Sequence, residues 1–505
     1  MKFKIMLINP PRVNGFPVVR EERFEHKDIG SVYPPLSLLY LSAILEKEPA
    51  FEVKLLDANG FSLSLNRVNS EITDFSPDMV ISRTGFDTQK EDLKIFHSAK
   101  DNGAFTVLRN KIISDVPEIR DKILKENPVD IFINSEPETV IMPLALKLYE
   151  NKKSMLRREH PTACLRDPGR KDTPPAPDLL KHIKGISFYS GGAVHTTEHA
   201  ENINNLDSLP FPAYHLLPSL DVYHTGILKP PFALVATTRG CPFGCSFCAY
   251  GKTKLRYRSV DSVIKEISYL KERFRIRSFL FFDDTISMKQ GRTRELAEKI
   301  TEAGLSAIDW VCCTRANLVD FETLKLMKQA GMKEIAIGIE TGSPLILKKT
   351  KKGVSLDDIR QAAKWCRELN IMFYALVIIG LPGETKKTVN ESIKFIKEID
   401  PFYTQFCFAV PFPNTDIYRY YKDNGLLLTE NYEKYFPLSD DPVVRTKELT
   451  AEDLKKLRRR AYIKTLLRPA YLIKKIRPFD LKWNILGAGK ILSRILAVLR
   501  KKPVR

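Results

Sequence analysis

Short apolar segments alternate with helical patterns along the first 150 residues, and this alternation limits the possible folds more than any other feature. Five segments predict buried strands: FKIMLIN (3–9), EVKLLDA (52–58), DMVISRT (78–84), AFTVLRN (104–110) and DIFINSE (130–136). Helical patterns such as LSLLYLSAILEKE (36–48) separate them. Neighbouring parallel strands need crossovers of this length. Residues 1–150 are therefore predicted to form a doubly wound, Rossmann-like α/β domain.

A second block of alternation begins near residue 231. Its predicted strands are FALVATT (232–238), SFLFFDD (278–284), DWVCCTR (309–315), EIAIGIE (334–340), MFYALVIIG (372–380) and TQFCFAV (404–410). The helices between them are predicted to begin near Ser262, Arg292, Glu322, Leu356 and Lys387. Six such units favour a partial (βα)₆ barrel over residues 231–430. In barrels of this kind the functional site lies at the carboxyl ends of the strands.

Two further regions differ in composition from these blocks. Residues 151–230 are rich in proline and charge, and we interpret them as a linker with a short hairpin around GISFYSGGAVHTT. Residues 431–505 are predicted to be helical and basic. From 451 to 505 there are 17 Lys and Arg residues against three acidic ones, so this segment holds most of the formal net charge of +19.

The basic carboxyl-terminal segment also contains many apolar residues. Several of them recur on one helical face: Ile491, Leu492, Ile495, Leu496 and Leu499. A cationic amphipathic helix is typical of binding at a membrane surface. A helix that docks on the protein itself and a nucleic-acid contact remain alternatives, although no RNA-binding module is visible.

The expected location of the protein in the cell follows from three features that the sequence lacks. No run of 18 apolar residues is present, so no helix is expected to span a bilayer. The start, MKFKIMLINPP, lacks the features of a secretory signal, and eight cysteines in 505 residues are too few for a disulfide scaffold. We expect a cytoplasmic protein, with 451–505 allowing a peripheral position at the inner membrane surface.

Three cysteines lie close together in RGCPFGCSFCAY (239–250), with the spacing C-x₃-C-x₂-C. They are Cys241, Cys245 and Cys248. A structural zinc site needs four ligands, and no second pair and no histidine follows this loop. Cys312 and Cys313 are adjacent on a predicted strand, so their side chains point to opposite faces. A [4Fe–4S] cluster held by three thiolates, with one iron open to another ligand, fits the loop better than zinc.

This loop resembles the signature of the radical S-adenosylmethionine (SAM) superfamily, C-x₃-C-x-Φ-C, and Phe247 occupies the aromatic position. The resemblance implies that Cys241, Cys245 and Cys248 hold a [4Fe–4S] cluster whose open iron binds SAM. It also implies that an external one-electron donor is needed and that SAM is cleaved to a 5′-deoxyadenosyl radical, which abstracts hydrogen from the substrate. The cofactor then carries the chemistry while the protein orients it.

The same resemblance implies SAM contacts at the ends of other strands. Asp283 and Asp284, in FFDDT, are expected near the SAM ammonium group, with helix capping as the alternative. Arg315, in CTRAN, is expected to meet the SAM carboxylate, with a surface ion pair as the alternative.

Contacts with SAM are also expected at the ends of two further strands. Glu340, in GIETGS, is expected to bond the SAM amine or ribose, because a carboxylate at an apolar strand end is costly unless paired. Gly380 and Gly383, in IIGLPGET, would let the backbone approach the adenine, with an ordinary turn as the alternative. The remaining cysteines, Cys164 among them, are interpreted as core or loop thiols.

The order of the two predicted domains resembles that of cobalamin-binding radical SAM proteins, and the resemblance covers roughly residues 1–430. Similar segments are YPPLSLLYLSAILE (33–46), SEPETVI (135–141) and LDSLPFPAYHLL (206–217). The D-x-H-x-x-G motif, which supplies an axial histidine, is missing. A Gly-Gly-x-His stretch expected near VLRNKIIS (107–114) is also missing, and Arg109 and Asn110 would crowd a corrin there. Cobalamin binding and a retained scaffold both remain open.

The leading hypothesis is a radical SAM enzyme, either a cobalamin-dependent methyltransferase or an oxidoreductase or cyclase. Its substrate is expected to be apolar, such as a lipid, isoprenoid or tetrapyrrole. A tRNA-modifying methylthiotransferase is one alternative, but it requires a second cysteine cluster and no cysteine precedes Cys164. A non-catalytic, membrane-associated binding protein is the other.

Overall fold

The computed structural model describes residues 2–21, 26–27, 31–158 and 177–466. Contacts divide the chain into two compact units. The first comprises Met1–Tyr223 with Arg256–Ser262, and the second comprises His224–Leu255 with Val263–Arg505.

The first unit is built around one seven-stranded sheet. Its strands are β1 (Phe3–Asn9), β2 (Phe51–Asp57), β3 (Met79–Arg83), β4 (Phe105–Arg109), β5 (Ile131–Ile133), β6 (Ile186–Ser190) and β7 (Ala193–Thr196). Its helices are α1 (Leu36–Leu45), α2 (Leu65–Phe75), α3 (Gln89–Asp92), α4 (Ile95–Asp101), α5 (Lys111–Ser114), α6 (Pro117–Glu126), α7 (Pro137–Arg158) and α8 (Pro177–Leu180). Two-residue strands also occur at Val18–Val19, His26–Lys27 and Arg256–Tyr257.

The strand order in this sheet is β2-β1-β3-β4-β5-β6-β7. Strands β1 to β5 are mutually parallel, whereas β6 and β7 are antiparallel additions at one edge. The order reverses at β1, as in doubly wound folds that bind ligands at the carboxyl ends of the strands. All five predicted strands are present, and the doubly wound fold is confirmed.

The hairpin predicted within 151–230 is formed by β6 and β7 and extends this sheet. Its turn consists of Gly191 and Gly192, whose φ angles are 58° and 87°. Two consecutive left-handed residues form the tight turn that suits the twist of paired strands, and glycine adopts them without strain. Residues 177–223 are grouped with the first unit.

Tyr223 ties the end of this segment into the first unit. Its hydroxyl donates to Asp57 Oδ2 at 2.6 Å, while Asn9 Nδ2 and the Gly60 amide donate to Asp57 Oδ1 at 2.7 and 2.8 Å. Burial raises the pKa of Asp57, and these bonds oppose the shift. A Cβ at residue 60 would overlap the Asp57 carboxylate, so glycine is required there.

The second unit contains a six-stranded sheet of order β8-β9-β10-β11-β12-β13. Its strands are β8 (Phe232–Val235), β9 (Ser278–Phe281), β10 (Asp309–Thr314), β11 (Met332–Glu340), β12 (Met372–Ile379) and β13 (Tyr403–Phe408). Its helices are α9 (Val260–Phe274), which begins at the boundary, α10 (Gln290–Glu302), α11 (Phe321–Gln329), α12 (Pro344–Lys349), α13 (Leu356–Glu368), α14 (Lys386–Ile399), α15 (Asp416–Asp423) and α16 (Ala451–Leu466). A two-residue strand occurs at Thr238–Arg239.

All neighbouring pairs in this sheet are parallel, so the predicted open (βα)₆ barrel is present. The helices begin within two residues of the predicted positions, and at three of them the preceding residue caps a free amide. Asp320, Ser355 and Thr385 accept hydrogen bonds from the third helical residue of α11, α13 and α14. In β12, alternate residues are buried and half-buried, which indicates that one face packs under the helices and the other is open.

Helix α16 is the described helix of the basic carboxyl-terminal region. Its residues Leu454, Leu457 and Ala461 are buried, so its apolar face is already used within the second unit. The amphipathic pattern predicted around Ile491–Leu499 lies outside the described residues, as does Cys164. Over the part of the chain that the structure describes, no helix is long and apolar enough to cross a membrane.

Candidate cofactor site

The loop that carries Cys241, Cys245 and Cys248 leaves the carboxyl end of β8 and folds back on itself. The Cys241 amide donates to Thr253 Oγ1 at 2.9 Å, and the Thr253 amide donates to the Cys241 carbonyl at 2.9 Å. The Lys252 amide donates to the Phe243 carbonyl, also at 2.9 Å. These bonds close the base of the loop without using the three thiols.

Gly240 is required at the start of this loop. Its φ of +92° lies in the left-handed region, and a Cβ there would overlap the Lys254 carbonyl oxygen. Gly244 lies inside the loop without such a φ, and a Cβ at this residue would lie 3.1 Å from its nearest neighbour, Lys252 Cε. The two glycines of the motif therefore have different roles.

The three thiols are half-buried, and none of them forms a disulfide with a described residue. The Tyr250 amide donates to Cys248 Sγ at 3.4 Å, and Arg315 Nη1 lies 3.4 Å from Cys245 Sγ. Donors of this kind are typical around sulfur ligands that carry negative charge. Burial raises the pKa of Cys241, and the nearby Asp284 carboxylate acts in the same direction.

A single metal ion and a [4Fe–4S] cluster require different arrangements of their ligands. Among residues 2–21, 26–27, 31–158 and 177–466, no three His, Cys, Asp or Glu side chains converge on a point that one ion could occupy. A [4Fe–4S] cube offers a separate iron to each thiolate, so its ligands need not converge. Three half-buried sulfurs on one closed loop therefore fit a cube, and Phe247 of the same loop is half-buried as well.

Asp283 accepts hydrogen bonds from its own chain, and its contact with SAM stays a prediction. Its side chain is fully buried, and it accepts hydrogen bonds from the Thr237 amide, the Thr237 hydroxyl and the Thr238 amide, each at 2.7 Å. Burial raises its pKa, and these bonds oppose the shift. The carboxylate holds the residues that lead into the cysteine loop, whereas Asp284 remains half-buried and close to Cys241.

Arg315 is not a surface ion pair, because only 5% of it is exposed. Its guanidinium carbon lies 3.6 Å from the centroid of the Phe243 ring, and Nη2 donates to the Lys352 carbonyl. With Nη1 beside Cys245 Sγ, this side chain contacts the cysteine loop directly. The contact of Arg315 with a SAM carboxylate stays a prediction, and the contacts that the structure shows are with the loop that would hold the cluster.

Glu340 ends β11 at a β-bulge, with a φ of +62° that is unusual for a residue other than glycine. It is buried and forms an ion pair with Lys352, which is buried as well. A Cβ on Gly338 would overlap both charged groups, so the glycine makes room for the pair. Such backbone strain is frequent at functional sites. Lys352 is not among the residues predicted from the sequence, because nothing distinguishes it within the basic run KKTKKG.

Gly380 and Gly383 both have positive φ angles, 96° and 80°. The amides of Gly380 and Leu381 donate to Glu384 Oε2 at 2.6 and 3.2 Å, and the Gly380 carbonyl accepts from the Tyr421 hydroxyl. Burial raises the pKa of Glu384 to about 8. The buried carboxyl of Glu384 thus shapes the loop after β12. Glu384 stands in the GLPGE motif but is not among the predicted site residues.

Side chains on the open face of β10 to β13 lie in register rows. One row contains Cys313, Ala336, Tyr374 and Tyr403, the next contains Gly338, Leu376 and Gln405, and the next contains Ile378 and Cys407. The Tyr374 hydroxyl bonds the Gln405 amide oxygen, and the two tyrosine rings lie 5.1 Å apart. These rows offer aromatic and aliphatic surface, and Ala336 is the small residue on β11 whose side chain lies in the first row.

Comparison with known proteins adds three results. Residues 235–396 match the family model described as the radical SAM superfamily. An uncharacterized methyltransferase of Pyrococcus horikoshii is 32% identical over 480 residues, which cover 94% of each chain. The anaerobic magnesium-protoporphyrin IX monomethyl ester cyclase of Cereibacter sphaeroides is 26% identical over 436 residues, covering 85% of this chain and 66% of the cyclase.

Among solved structures, the cobalamin-dependent S-adenosylmethionine radical enzyme OxsB, with aqua-cobalamin and S-adenosylmethionine bound, has a TM-score of 0.69. The alignment covers 98% of this chain and 72% of OxsB, with 16% sequence identity. Because the sequence identity is only 16%, this similarity shows that the chain and OxsB share a fold and nothing more.

We predict that Gly240→Ala loses most of its iron and Gly244→Ala does not. Alanine at residue 240 must adopt a left-handed φ and also displace the Lys254 carbonyl, whereas alanine at 244 meets only the flexible end of a lysine. The measurement is iron and sulfide per chain after anaerobic reconstitution. Equal iron content in the two variants would show that the turn at Gly240 does not set the loop geometry.

We also predict a pH effect from Glu384. Because its pKa is raised to about 8 in the folded protein, its contribution to stability is complete below its usual value of 4.5 and is lost as the pH rises through 8. The free energy of unfolding is expected to fall over this window, by on the order of 4 kcal/mol. Glu384→Gln should flatten the dependence, and the exposed Glu298→Gln should not. Urea unfolding across the window measures this, and parallel curves for wild type and Glu384→Gln would contradict it.

Proposed function

We propose that this chain, which belongs to the radical SAM superfamily, methylates an apolar small molecule or closes a ring in it through radical chemistry. Membership rests on the match over residues 235–396 and on the 32% identical relative that aligns with 94% of the chain. The predicted radical SAM enzyme is thereby confirmed. The observation that carries the finer proposal is the closed loop with three half-buried thiols at the carboxyl end of a sheet whose open face is apolar and aromatic.

The roles of the residues follow from their contacts. Cys241, Cys245 and Cys248 would hold a [4Fe–4S] cluster, and the cluster with bound SAM supplies a 5′-deoxyadenosyl radical in this superfamily. Asp283 acts indirectly, because its bonds to Thr237 and Thr238 orient the start of the loop.

SAM contacts are proposed for groups that remain near the thiols or at the strand ends. Asp284 is half-buried beside Cys241 and suits an ammonium group. Glu340 lies buried at the end of β11 with Lys352 as its ion-pair partner, and the SAM amine or ribose is the proposed second partner. Gly383 is half-buried and has no side chain, which suits the approach of a flat base, whereas Gly380 is buried and would act by shaping the same turn.

The class of substrate is proposed from the open rows of the sheet. Leu376 and Ile378 provide aliphatic surface, Tyr374 and Tyr403 provide aromatic surface, and the small Ala336 stands beside Tyr374 on the neighbouring strand. An isoprenoid, a lipid or a tetrapyrrole would bury apolar area against these groups. The relatives named as a methyltransferase and as a magnesium-protoporphyrin ester cyclase support either methyl transfer or ring closure.

We further propose that the first unit binds cobalamin without a histidine ligand from a D-x-H-x-x-G motif. The fold shared with OxsB supports this proposal, and a cavity of about 310 Å³ lies at the carboxyl ends of β1 and β2. Arg12, Ser62 and Lys94 line it and suit the amide and phosphate groups of a corrinoid.

Other groups at the same edge argue for a scaffold instead. Arg109 donates to Ser114 Oγ at 3.1 Å, and Asn110 caps α5 by accepting from the Ile113 amide at 2.9 Å, so both side chains fill the place of the missing glycines. A corrinoid spectrum that stays with the protein through gel filtration would support binding, and elution of all the corrinoid in the small-molecule fractions would favour the scaffold.

We predict that the anaerobically reconstituted protein shows a reduced [4Fe–4S] EPR signal that changes on addition of SAM, and that it forms 5′-deoxyadenosine with dithionite. Cys245→Ala should lose both properties, because two thiolates cannot hold the cube. Cys366→Ala is the matched control, since this buried thiol lies in α13 outside the loop. A wild-type protein without a SAM-sensitive signal would contradict the proposed function.

Membrane contact through the carboxyl-terminal segment is a separate proposal. Residues 467–505 contain 11 basic residues against Asp480, and anionic lipid attracts each basic residue by roughly 1 kcal/mol near the surface. We predict that the full chain floats with phosphatidylglycerol vesicles and that a chain ending at Leu466, which keeps α16, does not. Equal flotation of the two forms would contradict membrane contact. Binding of the full chain to RNA but not to vesicles would favour nucleic acid.

A further inference from the structure

Arg315 connects the cysteine loop with the segment that follows α12. Its Nη1 lies 3.4 Å from Cys245 Sγ, its guanidinium stacks on Phe243 at 3.6 Å, and its Nη2 donates to the Lys352 carbonyl. Three contacts from different directions hold the group in one orientation. The guanidinium cannot lose its proton at ordinary pH, so it places a permanent positive charge beside this sulfur.

The backbone beside this sulfur is held in place by the next residue. Residue Ser246, next to Cys245, donates its amide to the Thr350 carbonyl at 2.8 Å and its hydroxyl to the Lys349 carbonyl at 3.3 Å. Its own carbonyl accepts from the Ile417 amide at 3.1 Å. The distance between Cys245 Sγ and Arg315 is therefore set by the fold, and 5% exposure of Arg315 leaves little water to screen the charge.

A cube with three thiolates carries one net negative charge when oxidised and two after it accepts one electron from a donor. A fixed cation beside one sulfur stabilises the reduced state more than the oxidised state, because the attraction grows with the charge. A hydrogen bond to a ligand sulfur acts in the same direction. The Nε of Arg315 is also buried without a hydrogen-bond partner among the described residues, so the side chain retains an unused donor.

We propose that Arg315 is a tuning residue that raises the reduction potential of the cluster through its contact with Cys245. This inference rests on the proposed function, since it requires the cluster. It gives Arg315 a role that does not depend on bound SAM or on the substrate. An external donor of a given strength then reduces a larger fraction of the enzyme.

The test measures the midpoint potential of the reconstituted cluster by EPR-monitored redox titration, without SAM or substrate. Arg315→Gln is expected to lower the equilibrium constant for reduction at least tenfold, which for one electron is about 59 mV. Arg315→Lys, which keeps the charge, should shift it less. Arg294→Gln is the matched control, because Arg294 bonds Asp320 and Thr323 and does not touch the cysteine loop.

The possible outcomes separate this inference from the proposed function. A wild-type protein that holds no cluster would contradict the proposed function. Wild type and Arg315→Gln with equal potentials and full iron content would overturn the inference alone. Arg315→Met, which can still pack on Phe243, replaces the glutamine variant if that variant loses iron. If both neutral variants lose the iron, Arg315 only supports the loop and the inference is wrong.

Discussion

The buried carboxylate of Asp283 joins the cysteine loop to the sheet of the second unit. Its two oxygens accept three hydrogen bonds at 2.7 Å from Thr237 and Thr238, the residues between β8 and the first cysteine. A buried carboxylate that lost these donors would leave an unpaired acid in the core, at a cost of several kcal/mol. The start of the loop therefore has one stable position, and the directions of the three thiols depend on it.

Other buried charges surround the loop and are paired in the same way. Glu340 and Lys352 form an ion pair at the end of β11, and the Lys352 carbonyl in turn accepts from Arg315. The left-handed φ of Glu340 is an unfavourable backbone state that the ion pair and the surrounding bulge maintain. Removing the side chain of Glu340 or of Lys352 would leave the other charge buried without this partner, so the two residues act as a pair.

Many features of the fold were predictable, because they depend on local patterns. The strands of both sheets follow from runs of apolar residues, and the helix starts follow from capping residues such as Asp320 and Thr385. The Gly-Gly turn of the β6–β7 hairpin is equally local. The roles of Asp283 and Arg315 were not predictable, since a side chain at a strand end can point to a cofactor or back to its own backbone. Lys352 was missed because its partner Glu340 stands 12 residues away along the chain. Glu384 bonds the Gly380 amide only four residues away, and it was missed because the prediction for the GLPGE motif considered its glycines alone.

The sequence by itself determined the reaction class and the two folds, because the spacing of the three cysteines and the period of the apolar residues are local patterns that can be identified without the folded structure. The tertiary structure alone decided which charges face the cysteine loop. Arg315 reaches Cys245 across 70 residues, and Asp283 reaches Thr237 across 46. Contacts at such separations depend on how parallel strands bring their carboxyl ends together, and burial then decides whether each charge must find a partner inside the protein.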